Sequence, residues 1–384
     1  MKIIALKETQ RGERRACVVP ATVEKYVALG AEVHVEAALG AAMGVADSAF
    51  EQAGATVFSD RAAALASADM VLRLHPPRPD DLVHLRPGCI HVSFLDPFLQ
   101  PSAVRALAAA QASGICLELI PRTTIAQKMD VLSSQASLAG YVAVVLAAER
   151  LDRIFPMMST PAGMIAPIRV FVIGVGVAGL QAIATARRLG AVVEAFDTRA
   201  AVEEEVKSLG ARFVKVDLGE TGQTKDGYAT ALTDAQLARQ REVMATHCAG
   251  ADVVITTAQV FGRRAPVIVT ADMVRRMKPG SVVVDLAVDS GGNVEGVRAG
   301  EEVEVDGVRL IGLTNLAGRV PVHASQMLAS NIANLVEHFW NRDTCSFELR
   351  RADEIIRGAL VTHDGSIVHD AVRAVVEAGE GSTS

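Results

Sequence analysis

Arg169-Val-Phe-Val-Ile-Gly174-Val-Gly176-Val-Ala-Gly179 is the stretch on which the fold turns. A run of strand character enters three glycines at Gly-x-Gly-x-x-Gly spacing, and a helical run, LQAIATARRLG, follows. Gly174 permits a tight turn, Gly176 lets backbone N–H groups approach a pyrophosphate, and Gly179 lets the helix lie against the strand. Val177 and Ala178 lie within that glycine turn, and the helix after it offers orphan N–H groups and a dipole that favour an anion. A glycine triplet alone is a weak signal, but here it sits between a strand and a helix. The next strand ends Ala195-Phe196-Asp197, 18 residues beyond Gly179. A carboxylate there can accept both hydroxyls of an adenosine ribose and repels a 2′-phosphate. The stretch reads as a site for NAD(H), with Asp197 disfavouring NADP(H).

The rest of the chain repeats this grammar. Leu29-Gly30-Ala31, Leu189-Gly190-Ala191 and Leu209-Gly210-Ala211 each put glycine where a helix ends in a left-handed turn. Short strands follow each: EVHVE, VVEAF and RFVKV. Alternating strands and helices imply parallel sheets. One set of strands is predicted at 3–6, 33–35, 70–74, 90–94 and 115–117. A second is predicted at 170–173, 192–196, 213–216, 253–256, 282–286 and 308–311. Residues 134–151 read as a long Ala-rich connecting helix, and a second helix over 325–339 is expected to carry the chain back.

The fold class is therefore α/β, with two Rossmann-like domains containing parallel sheets and joined by long helices. The expected boundaries are 1–133 plus 325–384 for a discontinuous first domain and 134–324 for the NAD(H)-binding domain, with the nicotinamide end in a cleft between them. The turn after the first strand, KETQRGERR, is charged and lacks a glycine fingerprint, so one dinucleotide site is visible. Residues 218–228, LGETGQTKDGY, break the rhythm. They read either as a solvated insertion or as a mobile lid beside the nucleotide.

Composition narrows the classes. A chain of 384 residues is long for one core. A diet 50% hydrophobic but only 4% aromatic suits helices packed on parallel strands. A net charge of −6, without a basic face, argues against nucleic acid. Cys17, Cys89, Cys116, Cys248 and Cys345 are scattered and form no Cys-x-x-Cys pair. Neither a disulfide framework nor a metal site is expected, and a reducing compartment fits. The opening residues lack the apolar stretch of a signal peptide. The apolar run 170–186 is interrupted by Gln181 and Thr185 and reads as a strand entering a helix, not a membrane span.

Pro121-Arg122-Thr-Thr-Ile-Ala-Gln127-Lys-Met-Asp130-Val-Leu-Ser133-Ser134-Gln135 strongly resembles the Arg-Gln-Asp loop of the NAD(H)-binding component of proton-translocating transhydrogenases. LAGY (138–141), FPMM (155–158), GVGVAGLQAIATARRLGA (174–191), ITTAQVFGRRAP (255–266) and MKPGSVVVDLAVDSGGN (277–293) are similar to that family too. So is the opening KET…GERR…VVP, and the likeness covers almost the whole chain. It implies that Arg122 pairs with Asp130 near the nicotinamide, that Ser133 contacts the carboxamide, and that Gln127 reaches toward NADP(H) on a partner domain. Tyr228 would lie on a loop that closes over the nucleotide. It also implies a homodimer, peripheral at the cytoplasmic face of the inner membrane, with transmembrane subunits supplying the proton path. The chemistry agrees, because hydride exchange between two nicotinamides needs no acid or base. It needs rings held about 3–3.5 Å apart, with water excluded. The bland alternative makes Arg122 and Asp130 a surface ion pair.

Alanine dehydrogenases are the rival resemblance, in fold, in the loop around Gly291-Gly292-Asn293, and in an arginine matching Arg15. Their catalytic lysine stretch corresponds to Leu72-Arg73-Leu74-His75-Pro76-Pro77 here, with His75 close to the lysine position, and their histidine position reads Phe94-Leu95-Asp96. Both groups that would bind and deprotonate an amino acid are altered. Asp289 matches an aspartate near their active site, and with His75 it could form a proton relay. A non-catalytic NAD(H) sensor is a third class. His84, His91 and His369 show no ligand spacing.

Overall fold

The computed structural model describes residues 1–216 and 233–380. The chain divides into two compact units: Met1–Gln135 with Gly318–Ser384, and Ala136–Ala317.

In the first unit, strands β1 (Lys2–Ala5), β2 (Glu32–Glu36), β3 (Thr56–Phe58), β4 (Met70–Leu72), β5 (Ile90–Ser93) and β6 (Ser113–Cys116) run parallel in the order β3-β2-β1-β4-β5-β6. Strands Leu360–His363 and Ser366–Ile367 extend the β6 edge antiparallel. Alternate residues explain why the strands are apolar throughout. Ile3, Ala5, Met70, Leu72 and Val92 face Leu328, Ile332 and Val336 of the Pro321–His338 helix. Ile4, Val71 and Cys116 face Leu65, Leu107 and Val372 on the other side. A parallel sheet covered on both faces requires this pattern.

The second unit opens with an antiparallel hairpin of β7 (Met158–Thr160) and β8 (Gly163–Ile165). Its main sheet uses β9 (Arg169–Ile173), β10 (Val192–Phe196), β11 (Arg212–Phe213), β12 (Val253–Thr256), β13 (Val282–Asp285), β14 (Glu302–Val305) and β15 (Val308–Ile311). The order is β11-β10-β9-β12-β13-β15-β14, parallel except for β14. Phe171, Ile173, Val254 and Val283 pack on Met244, Cys248 and Met273. Order reverses at β9, with β10 on one side and β12 on the other. In open α/β sheets ligands bind at the carboxyl ends of strands at such a reversal.

Several boundaries differ from the sequence expectation. The connecting helix is Val131–Arg150, and the returning helix begins at Pro321, whose missing N–H costs nothing at a first helical position. The β11 strand is Arg212–Phe213, so only Phe213 of the predicted 213–216 stretch falls within it. The Asp234–Gly250 helix starts at Thr233, whose hydroxyl accepts the Gln236 N–H. Residues 170–186 form β9 and the Val177–Arg188 helix, as expected. Among the described residues one helix, Val131–Arg150, is long and apolar enough to cross a membrane, a test that core helices of soluble proteins also pass.

Candidate nucleotide site

Three loops at the carboxyl end of the second sheet are bound into one frame. β9 delivers Gly174 in the left-handed region at φ +96, and the Gly174 N–H donates to the Phe196 carbonyl at 2.9 Å. A Cβ on Gly179 would stand 2.0 Å from the Gly174 oxygen, and a Cβ on Gly174 2.7 Å from the Thr257 hydroxyl. Packing alone therefore demands glycine at both positions. At Gly176 a Cβ would meet no atom of the described residues within 4 Å. Gly176 precedes the Val177–Arg188 helix without a side-chain cap, and Gly176 and Val177 are exposed. Ala178 is half-buried and packs by its backbone near Gly140. Orphan N–H groups at an uncapped helix start suit an anionic ligand, and glycine at position 176 leaves room for it.

Asp197 ends β10 with its side chain 8% exposed. Its Oδ2 accepts the Val175 N–H at 2.8 Å, and its Oδ1 accepts the Arg199 N–H at 2.8 Å. The Arg199 guanidinium adds Nε to Oδ1 and Nη2 to Oδ2, both at 2.9 Å. Asp197 thus lies beside the glycine turn, where the spacing placed it, held by a residue that the sequence pattern does not single out.

Thr257, just past β12, donates its hydroxyl to the Gly174 carbonyl at 2.9 Å. At the end of β13, buried Asp285 accepts the Thr256 hydroxyl and the backbone N–H groups of Ala287, Asn293 and Val294. Burial raises the pKa of this carboxyl against the pull of those donors. These positions carry no signal in the sequence because their work is backbone organisation.

The Arg-Gln-Asp segment lies in the first unit. Ala126 and Met129 are buried in its core, and the amides of Asn331 and Asn334 both donate to the Lys128 carbonyl at 2.9 Å. Gln127 and Arg122 are exposed. The Asp130 carboxylate accepts the Ser133 N–H at 2.8 Å and the Ser133 hydroxyl at 2.6 Å. That pattern secures the start of the Val131–Arg150 helix. The structure brings Asp130 and Ser133 together. Tyr228 and residues 218–228 lie outside the described residues.

At the reversal point of the first sheet, charge fills the space that a glycine turn would leave open. Glu8 accepts the N–H groups of Leu74 and His75 and pairs with buried Arg73, which pairs in turn with Asp81. Glu13 accepts Nε and Nη2 of Arg15 and lies 2.8 Å from His75 Nε2. The Arg15 and His75 bonds hold the Glu13 carboxyl far below its usual range despite burial. Arg15 Nη1 reaches Gln135 at 3.0 Å. Arg15 and His75, the one expected to match an alanine dehydrogenase arginine and the other standing near the expected lysine position, share Glu13, which the sequence alone did not mark. Asp96 sits at φ +45 beyond β5, and its backbone N–H and that of Leu95 donate to half-buried Glu118. His91 is buried on β5, and among the described residues no cluster of His, Cys, Asp or Glu could hold a metal.

Two Rossmann-like units, one with a glycine turn at its reversal point and an acidic residue ending the next strand, define a protein built on the dehydrogenase plan. Comparison with known proteins is more specific. Residues 4–139 match the family model "Alanine dehydrogenase/PNT, N-terminal domain", and residues 143–370 match "Alanine dehydrogenase/PNT, C-terminal domain". The chain belongs to this family. It is 42% identical to the first part of NAD(P) transhydrogenase subunit alpha from Rhodospirillum rubrum, over 97% of this chain and 99% of that one. Alanine dehydrogenase of Halomonas elongata is 30% identical, over 98% and 96%. The crystal structure of transhydrogenase from Sinorhizobium meliloti superposes with a TM-score of 0.84 at 41% identity, covering 97% of this chain and 100% of that chain. An L-alanine dehydrogenase structure gives 0.82 at 26%, covering 98% and 99%.

Proposed function

We propose that this chain is the NAD(H)-binding subunit of a proton-translocating transhydrogenase, exchanging a hydride between NAD(H) held here and NADP(H) held on a partner domain. The observation that carries the reading is the contrast within the glycine turn. Gly174 and Gly179 are fixed by packing, whereas Gly176 is glycine where the protein's own packing leaves a side chain free to stand. In this proposal the Val177 and Ala178 N–H groups bind the pyrophosphate, and Asp197 takes the ribose. Bound nicotinamide supplies the hydride carrier. Arg122, Asp130 and Ser133 orient the ring and its carboxamide, Gln127 meets the second nucleotide, and Tyr228 helps to exclude water.

Relatives named as transhydrogenase alpha subunits, at 36–42% identity, support this reading over alanine dehydrogenase at 30%. The engagement of Arg15 and His75 by Glu13 supports it too, since a substrate carboxylate would have to compete for the same guanidinium. The proton path belongs to transmembrane subunits, and this chain sits peripherally at the cytoplasmic face of the inner membrane. A homodimer is part of the proposal. All six strand residues of the β7–β8 hairpin are exposed, including Met158, Met164 and Ile165, as is neighbouring Met157, an apolar surface that suits a protein interface.

The test is a titration with NADH, followed by hydride transfer with and without an NADP(H)-loaded partner domain. Binding alone, with transfer only when the partner is present, is expected. Alanine-dependent reduction of NAD by the isolated chain, at ordinary enzymatic rates of about 1–1000 per second, would sink the proposal. Binding with silence in both mixtures would indicate a sensor.

A further inference from the structure

We propose that Arg199 gates the adenosine end of the site and sets how sharply NADPH is refused. The inference rests on the NAD(H) reading and sharpens it.

The argument is a count of acceptor positions. An ionised carboxylate offers about four. On Asp197 the Val175 and Arg199 backbone N–H groups take two, and Nε and Nη2 of Arg199 take the others. The two backbone bonds are set by the turn and can persist. The two side-chain bonds come from one guanidinium in the fork arrangement that fits a carboxylate. Two ribose hydroxyls that both donate to Asp197 must therefore displace that guanidinium.

The displaced group is a well-held one. The Arg199 side chain is 18% exposed and that of Asp197 8%, so water screens the pair poorly. Arg199 Nη2 also donates to the Val175 carbonyl at 3.0 Å, tying the glycine turn to the end of β10. Exchange of this pair for ribose weakens NADH binding relative to a site whose carboxylate stands ready. The displaced cation, still tethered two residues from Asp197, then offers itself to a 2′-phosphate, the role arginine takes in sites for NADP. Arg199 thus opposes Asp197 twice, against NADH and in favour of NADPH.

Arg199→Gln in the full chain separates the two effects. NADH affinity is expected to rise about tenfold and NADPH affinity to fall about tenfold, the scale of one charge-assisted pair. Arg199→Lys, with a cation but no fork, is expected to keep NADPH affinity while tightening NADH in part. Losses of equal size for both nucleotides, or no change in either, would overturn the proposal and leave Arg199 as a brace of the loop. Should Arg199→Gln fail to fold, the unaltered chain still decides. 2′-AMP is expected to bind at least as tightly as adenosine at low salt and to lose that parity as salt screens the cation. Weaker binding of 2′-AMP at every salt concentration overturns the gate. An unaltered chain that binds neither NADH nor adenosine overturns the nucleotide reading and the gate with it. Loss of the expected changes in a chain that does bind NADH overturns the gate alone.

Discussion

Asn293 grips Ala258 at both ends of its backbone. The Ala258 N–H donates to Asn293 Oδ1 at 3.0 Å, and Asn293 Nδ2 donates to the Ala258 carbonyl at 2.8 Å and to the Pro266 carbonyl at 2.8 Å. Asn293 is fully buried, so removing its amide strands several groups at once. Asn293→Ala is expected to cost about 2–4 kcal/mol. Thermal melting should fall by roughly 5–15 °C. Because Thr257 beside Ala258 holds the Gly174 carbonyl, NADH affinity should fall too. An unchanged melting temperature would show that water or a rearranged loop replaces the amide.

Gly176 and Gly179 should answer the same substitution in opposite ways. Gly179→Ala drives a methyl into the Gly174 carbonyl and is expected to destabilise the fold by at least about 2 kcal/mol. Gly176→Ala meets no atom of the described residues, and its φ of −86 suits alanine, so stability should stay within about 0.5 kcal/mol. NADH affinity should nonetheless drop about tenfold or more, because in the proposed site the methyl would stand where the pyrophosphate approaches. Paired melting curves and NADH titrations check this. Gly176→Ala binding NADH normally would remove the main support for the phosphate site.

What could be read in the sequence was what is local. The β9 turn and Asp197 belong to one strand-helix-strand unit, and their spacing carries the geometry. The antiparallel edges are also written locally, in a signal the strand pattern overlooks. Asp306-Gly307 (φ +50 and +79) joins β14 to β15, and Asp364-Gly365 (φ +47 and +74) joins Leu360–His363 to Ser366–Ile367. Asp-Gly at the two central positions is the signal of a hairpin turn with both φ values positive. The Glu13–His75 and Asn293–Ala258 contacts could not be read that way. Their partners lie 62 and 35 residues apart, and only the assembled sheets bring them together.

Acid should destabilise the protein through His91. Burial in β5 lowers the His91 pKa from 6.5 to about 3, and its Nε2 has no hydrogen-bond partner among the described residues. The unfolded chain takes up a proton near pH 6.5 that the folded chain refuses until about pH 3. Stability contributed by neutral His91 is therefore full above the unfolded value and is lost as pH falls through that window, by about 1.4 kcal/mol per pH unit. His369, also lowered by burial, adds in the same direction. Urea midpoints between about pH 7 and 5 should fall for the unaltered chain and flatten in His91→Leu. Parallel slopes for the two proteins would assign the acid sensitivity elsewhere.

The hairpin supplies a test of the proposed homodimer. Ile165 is 50% exposed, so Ile165→Glu removes nothing from the core. Sedimentation is expected to show a dimer for the unaltered chain and a shift toward monomer for the variant, with unchanged melting of the monomer fold. A variant that dimerises as tightly as the original would place the interface away from the hairpin.

Gln127 offers the sharpest test of the hydride-transfer proposal, because the structure isolates it from the fold. Its neighbours Ala126 and Met129 are buried anchors, and Asn331 and Asn334 pin the adjacent Lys128 carbonyl, while Gln127 itself is exposed. Gln127→Asn shortens the side chain by one methylene and keeps the amide, so neither packing nor charge changes. If Gln127 aligns the second nicotinamide, the shorter amide falls short of a partner bound on another chain. A displacement of about 1 Å can cost on the order of a hundredfold in an aligned reaction. On the proposed reading the glycine turn and Asp197 of the second unit set NADH affinity, which should then stay within about twofold, a change of less than half a kcal/mol. Single-turnover transfer to a partner-bound NADP analogue, read beside an NADH titration, distinguishes the two quantities. Equal losses in both would make Gln127 a simple contact to NADH, and full retention of both would remove it from the reaction.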